Sequence, residues 1–415
     1  MKHLDEYRDT QLCQRLLAQI RSRASRSWTL MEVCGGQTHG LLRYGIVESL
    51  QGVVELIHGP GCPVCVTPTE QIDSAIRLAR LPGVILTSFG DMLRVPGSGQ
   101  SLLQARAEGA QVRMVYSPLD AVELAAREPD RQVVFFAVGF ETTVPSTALA
   151  VWQAAERGLK NFSILVSHVR VLPAMEQLVL DPHVRIDAFL AAGHVCTVTG
   201  LTGYHDFVTR SGRPVIVTGF EPVDLLTGIL AAIEQLERGE VAVVNQYERS
   251  VVREGNQHAI RLIDLIYEPC DLAWRGLGMI PSGGFRLRAD WAHWDAQLRW
   301  PESGQAMTVE ANRERDEKTG KGKDERAEQA GFLSTERTVG RQPAEPRLPT
   351  LECRAADVLT GRIRPTQCAH FGTVCTPDHP LGAPMVSAEG ACAAYFRYRL
   401  PVGTLEPNPV SRSSP

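Results

Sequence analysis

Four cysteines near the end of the chain, Cys353, Cys368, Cys375 and Cys392, are spaced C-x14-C-x6-C-x16-C among glycines and prolines. One thiolate per iron is what a [4Fe-4S] cluster requires, and soft sulfur donors suit zinc as well. No CxxC knuckle of the kind zinc ribbons carry in pairs occurs here, which weighs toward iron without deciding it. A second arrangement lies in HGPGCPVCVTPTEQ (58–71), where Cys62 and Cys65 form a CxxC turn between an expected strand and an expected helix. Backbone N–H groups, the positive end of a helix dipole and the neighbouring sulfur all lower a thiol pKa there. The pair therefore reads as redox-active, half of a zinc site being the competing reading, and the surrounding Gly and Pro predict a turn near the surface. In MEVCGGQTHG (31–40), Cys34 precedes a Gly-Gly turn with His39 five residues on, a pairing able to ligate a soft metal or activate a thiol.

Polar side chains recur at the ends of further expected strands: Asp91 and Arg94 in FGDMLRVPGS, Glu141 and Thr142 in GFETT, His168 in SHV and His194 in GHV. Singly, each fits capping or turn chemistry; together they resemble the lining of a cleft. Cys13, Cys196 and Cys270 have no partner at motif spacing and read as small hydrophobes. WRGLG (274–278) reads as a structural turn.

The elements that must position these groups are legible as an alternation. Apolar, β-branched runs at 53–57, 84–88, 112–116, 133–138, 164–167, 188–192 and 215–218 suit strands buried on both faces of a parallel sheet. Helical patterning at 70–80, 101–108, 120–128, 145–157 and 222–237 falls between them, so the class is α/β. Two units are favoured over one large sheet by an internal echo, VGFETTVP (138–145) with TGFEPVD (218–224) and SHVRVLP (167–173) with GHVCTV (193–198). Such an echo also arises by chance reuse of strand-to-helix turns.

A chain of 415 residues exceeds what one core organises, and 44% hydrophobic with 22% charged residues is an ordinary globular composition. A net charge of −4 offers no basic field for nucleic acid or anionic lipid. No signal peptide or membrane-length apolar run is present, which predicts a cytoplasmic protein and makes ten cysteines metal ligands or redox thiols rather than a disulfide framework. From Glu310 to Arg347 nine acidic and nine basic residues occur with almost no large apolar side chain, so no core can form there. The expected division is an N-terminal helix at 1–28 packing on the cluster section, α/β domains at 29–120 and 121–285, and a connecting segment at 286–350 that holds the disordered charged insertion. A mostly helical or irregular cluster domain at 351–402 and a flexible tail at 403–415 complete it.

MEVCGGQTH, GPGCPVCVTP, FGDMLRVPGS, VGFETT, WRGLGMIPSGG and the terminal cysteine spacing with GACAAYF together resemble the HypD family of hydrogenase maturation factors, from about residue 28 to 300 and again from 351 to 400. The pattern departs at the charged insertion and at Ala355 and Pro384, where relatives would carry extra cysteines. The resemblance implies two similar α/β domains around a cleft plus a cluster domain. It also implies a scaffold for the Fe(CN)2CO group of [NiFe] hydrogenases, monomeric between transient complexes. The implied partners are a HypC-type chaperone, a HypE-type cyanide carrier and, through the chaperone, the hydrogenase large-subunit precursor. Cys34 would hold the iron together with a chaperone thiol, with His39 beside it and Cys62 and Cys65 as the nearby thiol-disulfide pair. Cys353, Cys368, Cys375 and Cys392 would hold a [4Fe-4S] cluster feeding electrons toward that pair, and Asp91, Arg94, Glu141, His168 and His194 would line the cleft or a partner surface. A stand-alone thiol-disulfide oxidoreductase is the alternative, weakened because no GxGxxG follows an expected strand. A zinc-stabilised binding module is a third reading.

Overall fold

The computed structural model describes residues 5–301 and 352–398, so most of the charged insertion and the whole tail lie outside the described residues. All seven expected strands form, and four more join them: β1 (Trp28–Glu32), β2 (Val54–His58), β3 (Val84–Ser88), β4 (Val112–Met114), β5 (Gln132–Gly139), β6 (Phe162–His168), β7 (Ala188–Ala192), β8 (Val215–Thr218), β9 (Val243–Asn245), β10 (Tyr267–Trp274) and β11 (Gly278–Leu287). One parallel sheet has the order β2-β1-β7-β8-β9 and a second the order β4-β3-β5-β6, while β10 and β11 form an antiparallel hairpin.

Within each parallel sheet the strands run second, first, third, fourth in chain order, so the two α/β units share a topology. Their membership is not contiguous. The chain lays down β1 and β2, builds the whole second sheet, and then returns to add β7, β8 and β9 to the first. A boundary at residue 120 therefore does not follow the sheets: it divides β3 and β4 from β5 and β6, which pair with one another. The sequence echo does not mark the duplication either. GFETT follows β5, the third strand of its sheet, whereas GFEP follows β8, the fourth of its own, and SHV and GHV are crossed in the same way.

In such sheets a ligand site forms at the carboxyl edge where the strand order reverses. That point lies between β1 and β7 in the first sheet, which delivers Cys34 and His194, and between β3 and β5 in the second, which delivers Glu141. One apolar core runs through both units and includes Met31 and Val33 from one side, Leu86 and Val138 from the other, and Cys34, Cys62 and Cys65. The N-terminal helix Thr10–Arg23, capped by Asp9, buries Leu16 and Ile20 mainly along the helix Pro222–Arg238, in an apolar cluster that also takes in Ala394 of the cluster section. The cluster section is short helices and irregular chain as expected, with Phe371, Cys375 and Met385 at its centre. No helix among the described residues is long and apolar enough to cross a membrane.

Candidate redox and metal-binding site

Strand β1 ends at Glu32, and Cys34 is the N-cap of the helix Gly35–Arg43. The neighbouring strand β2 leads into the loop that carries Cys62 at the N-cap of the short helix Pro63–Val66. The two loops are tied together: Gly59 N–H donates to the Glu32 carbonyl at 2.7 Å and Gly35 N–H to the Gly61 carbonyl at 3.1 Å. Gly61 is required by this approach, since a Cβ there would overlap the Cys34 amide nitrogen and the Val33 carbonyl carbon. Cys62 and Cys65 are joined as a disulfide. With Cys34 at 1%, Cys62 at 2% and Cys65 at 0% exposure, the CxxC turn is buried rather than superficial. It is covered by β5 and by the helix Ala383–Val386 of the cluster section, a tertiary contact that turn composition does not encode.

The ring beside Cys34 is His194, whose nitrogens lie 3.8 and 3.9 Å from the Cys34 sulfur and which stacks on Phe220 with centroids 5.3 Å apart. His39 goes elsewhere. Its Nε2 faces the Ala388 carbonyl at 2.5 Å and its Nδ1 the Tyr398 hydroxyl at 3.3 Å, both in the cluster section. Five residues along a helix turn a side chain about 140° away from its starting face, so His39 leaves the face of Cys34 and meets the C-terminal segment instead. Burial pushes the Cys34 thiol well above the usual range, the Glu32 carboxylate adding to this and the Gln37 and Gly36 amides opposing it. The metal-free thiol is thus protonated, and a metal binding there must displace the proton.

Glu32 is buried and saturated. It accepts from the Cys34 amide at 2.7 Å, from the Thr38 hydroxyl, and from His58 Nδ1 at 2.6 Å; His58 Nε2 lies 2.9 Å from the Tyr395 hydroxyl in the cluster section. Asp91 accepts from the Ala388 amide at 3.0 Å, and Arg94 donates to the Val386 carbonyl at 3.0 Å. These two hold the segment 386–388 against the second α/β unit, and Arg94 stays exposed there.

Cys353, Cys368, Cys375 and Cys392 all line one apolar pocket, together with His370, Phe371, Leu381, Gly382, Met385 and the two departure positions Ala355 and Pro384. A Cβ on Gly382 would collide with the Cys353 sulfur, so the glycine makes room for that thiol. Burial and then the other three sulfurs push the Cys392 thiol up. Among the described residues no group of three His, Cys, Asp or Glu side chains is close enough to hold a single ion. Four thiols around one apolar pocket suit a group in which each sulfur takes its own iron.

A family model for HypD, described as "Hydrogenase formation hypA family", matches residues 11–323 and 333–399. The chain belongs to the HypD family. It is 44% identical over 407 residues to the hydrogenase maturation factor HypD of Rhodobacter capsulatus, covering 96% of this chain and 98% of that one. The HypD of Azotobacter vinelandii is 44% identical over 96% and 97% of the two chains, and that of Escherichia coli 40% over 96% and 98%. The break in the family match falls inside the charged insertion.

In this HypD-family chain Glu141 and His168 are buried scaffold rather than open lining. Glu141 accepts from the Val171 amide at 3.1 Å and its other oxygen has no partner; His168 lies 2.8 Å from the Thr147 hydroxyl and edge-on to Tyr267. Burial raises the Glu141 carboxyl to about 7, so its contribution to stability is full below its ordinary 4.5 and is lost as pH rises through 7. Burial lowers the His168 imidazole from 6.5 to about 4, so its contribution is full above 6.5 and is lost as pH falls through 4. The two slopes oppose each other in between. Glu141→Gln is therefore expected to unmask His168, with stability to urea climbing by about 3 kcal/mol from pH 4 to 6.5 at about 1.36 kcal/mol per pKa unit. A pH profile identical to that of the unsubstituted chain would mean that Glu141 titrates as an ordinary carboxyl. Glu32, His58 and Arg275 are the site residues that spacing did not single out.

Proposed function

We propose that this chain is a hydrogenase maturation factor whose Cys34 holds the iron of an Fe(CN)2CO group during assembly. The second thiol on that iron comes from a HypC-type chaperone, cyanide arrives from a HypE-type carrier, and the finished unit leaves with the chaperone for the hydrogenase large-subunit precursor. The observation that carries the reading is the convergence of Cys34, His194 and the Cys62–Cys65 disulfide where the two carboxyl edges meet, with the four-cysteine pocket packed against the CxxC helix. Cys34 is a soft donor for iron, and its burial keeps competing water off a metal bound there. His194 lies beside the Cys34 sulfur, and the Glu32 carboxylate fixes the Cys34 backbone. Cys62 and Cys65 interconvert between disulfide and dithiol, the conversion to dithiol taking up two electrons and two protons. Cys353, Cys368, Cys375 and Cys392 would hold a [4Fe-4S] cluster, which supplies electrons singly when bound.

Anaerobic purification of the chain alone, with iron and sulfide analysis and an absorption spectrum, tests the cluster half of this. About four irons per chain, lost in Cys368→Ala, is the expected result. Zinc in place of iron, or iron content indifferent to Cys368, would leave a structural metal site and remove the electron source.

A further inference from the structure

Arg275 opens the turn between β10 and β11, a stretch that as sequence reads only as a structural turn. Its backbone N–H donates to the Val66 carbonyl at 2.7 Å, one residue past Cys65. Its Nη2 donates to the Thr69 hydroxyl and to the Pro96 carbonyl, each at 2.9 Å. Its Nη1 is buried and has no hydrogen-bond partner among the described residues, an expensive condition for a cationic donor and one that calls for a physical reason. The next residue, Gly276, has a φ of +83°, and a Cβ there would lie 3.0 Å from Cα and Cβ of Ala356, in the first turn of the helix that follows Cys353. The same turn thus touches the CxxC loop on one side and the cluster pocket on the other. The Arg275 charge is among those that bear on the Cys353 sulfur, and the acidic groups bearing on Arg275 are Glu70 and Asp73, on the helix that follows the CxxC.

We propose that Arg275 is a positioning residue that joins the two redox centres: it pins the Cys62–Cys65 loop and sets a positive charge beside whatever the four cysteines bind. This rests on the [4Fe-4S] reading of the pocket. A cluster held by four thiolates is net negative and gains negative charge on reduction, so a neighbouring guanidinium favours the reduced form and raises the potential. Each centre then senses the other through one side chain.

The test is a spectroscopic redox titration of the anaerobic full-length chain, with Arg275→Gln, Arg275→Lys and Arg157→Gln compared to the unsubstituted protein. In Arg275→Gln the ratio of reduced to oxidised cluster at a fixed potential is expected to fall about tenfold, a shift of about 59 mV for one electron. Arg275→Lys keeps the charge and should hold the potential, but its ammonium cannot span Thr69 and Pro96, so dithiothreitol should open the Cys62–Cys65 disulfide faster. Arg157 is exposed on the second α/β unit and bound to Glu123, away from the pocket, so Arg157→Gln should leave the potential unchanged. An unchanged potential in Arg275→Gln with the cluster present, or an equal shift in Arg157→Gln, overturns this inference alone. A chain that takes up no cluster overturns it together with the reading of the pocket. Should Arg275→Gln fail to accumulate, Arg275→Lys decides: disulfide opening at the unsubstituted rate overturns the pinning role.

Discussion

Cys34→Ser is expected to abolish hydrogenase maturation in cells that depend on this chain, while the purified protein keeps its fold and the irons of its cluster. The substitution separates chemistry from structure unusually well. Cys34 occupies an N-cap position without making a side-chain cap hydrogen bond, and serine is among the residues that favour that position. The hydroxyl is slightly smaller than the thiol, is buried in the same place, and can find a partner in the adjacent His194 ring. Stability should therefore change by no more than about 1 kcal/mol, in either direction. What is lost is the donor: a neutral alcohol gives up its proton far less readily than a thiol and is a poor ligand for low-valent iron carrying strong-field ligands. The measurement is infrared absorption of the complex with the chaperone, in which bands from iron-bound cyanide and CO should vanish, alongside hydrogenase activity. Maturation at the unsubstituted level in Cys34→Ser would move the iron site away from the switch point of the first sheet.

That the site lies at this switch point was only partly legible in the sequence. Cys34, Cys62 and Cys65 declare themselves by residue type and by the glycines and prolines around them, and His194 by its place after an apolar strand. The expected pairing of His39 with Cys34 does not form for a geometric reason: the two are close in sequence, but the helix rotates His39 toward Tyr398. β1 escaped because WTLME mixes polar and apolar residues, and only its central place in the sheet, between β2 and β7, buries Leu30, Met31 and Glu32. The return of the chain to the first sheet after β6 has no local signature, since an apolar run such as AFLAA fits the middle of either sheet. Asp91 and Arg94 are visible as charges in a glycine-rich turn, but the segment they hold, 386–388, is nearly three hundred residues away in sequence.

Glu32→Ala is expected to be the most destabilising single substitution in the site, costing about 3–5 kcal/mol. The alanine removes the acceptor of three buried donors at once, the Cys34 amide, the Thr38 hydroxyl and the His58 ring. Each donor left unpaired carries a desolvation cost of about 1–3 kcal/mol, and relaxation recovers part of the sum. The damage should also travel. His58 is held between Glu32 and Tyr395, and Tyr395 lies on the helix Ala391–Arg397 that carries Cys392, so loosening His58 frees one wall of the cluster pocket. Urea unfolding should show a lower midpoint at an unchanged m-value, and the purified variant should lose iron faster to a chelator. Tyr395→Phe is the comparison that isolates the link, because it deletes one hydrogen bond worth about 1 kcal/mol and leaves Glu32 with its three donors. If the two variants were equally stable, the carboxylate would be a bystander and the position of Cys34 would have to be fixed by the glycine contact at Gly61 alone. If Glu32→Ala is far worse than Tyr395→Phe and both shed iron, the buried Glu32–His58–Tyr395 chain is what holds the cluster section in register with Cys34.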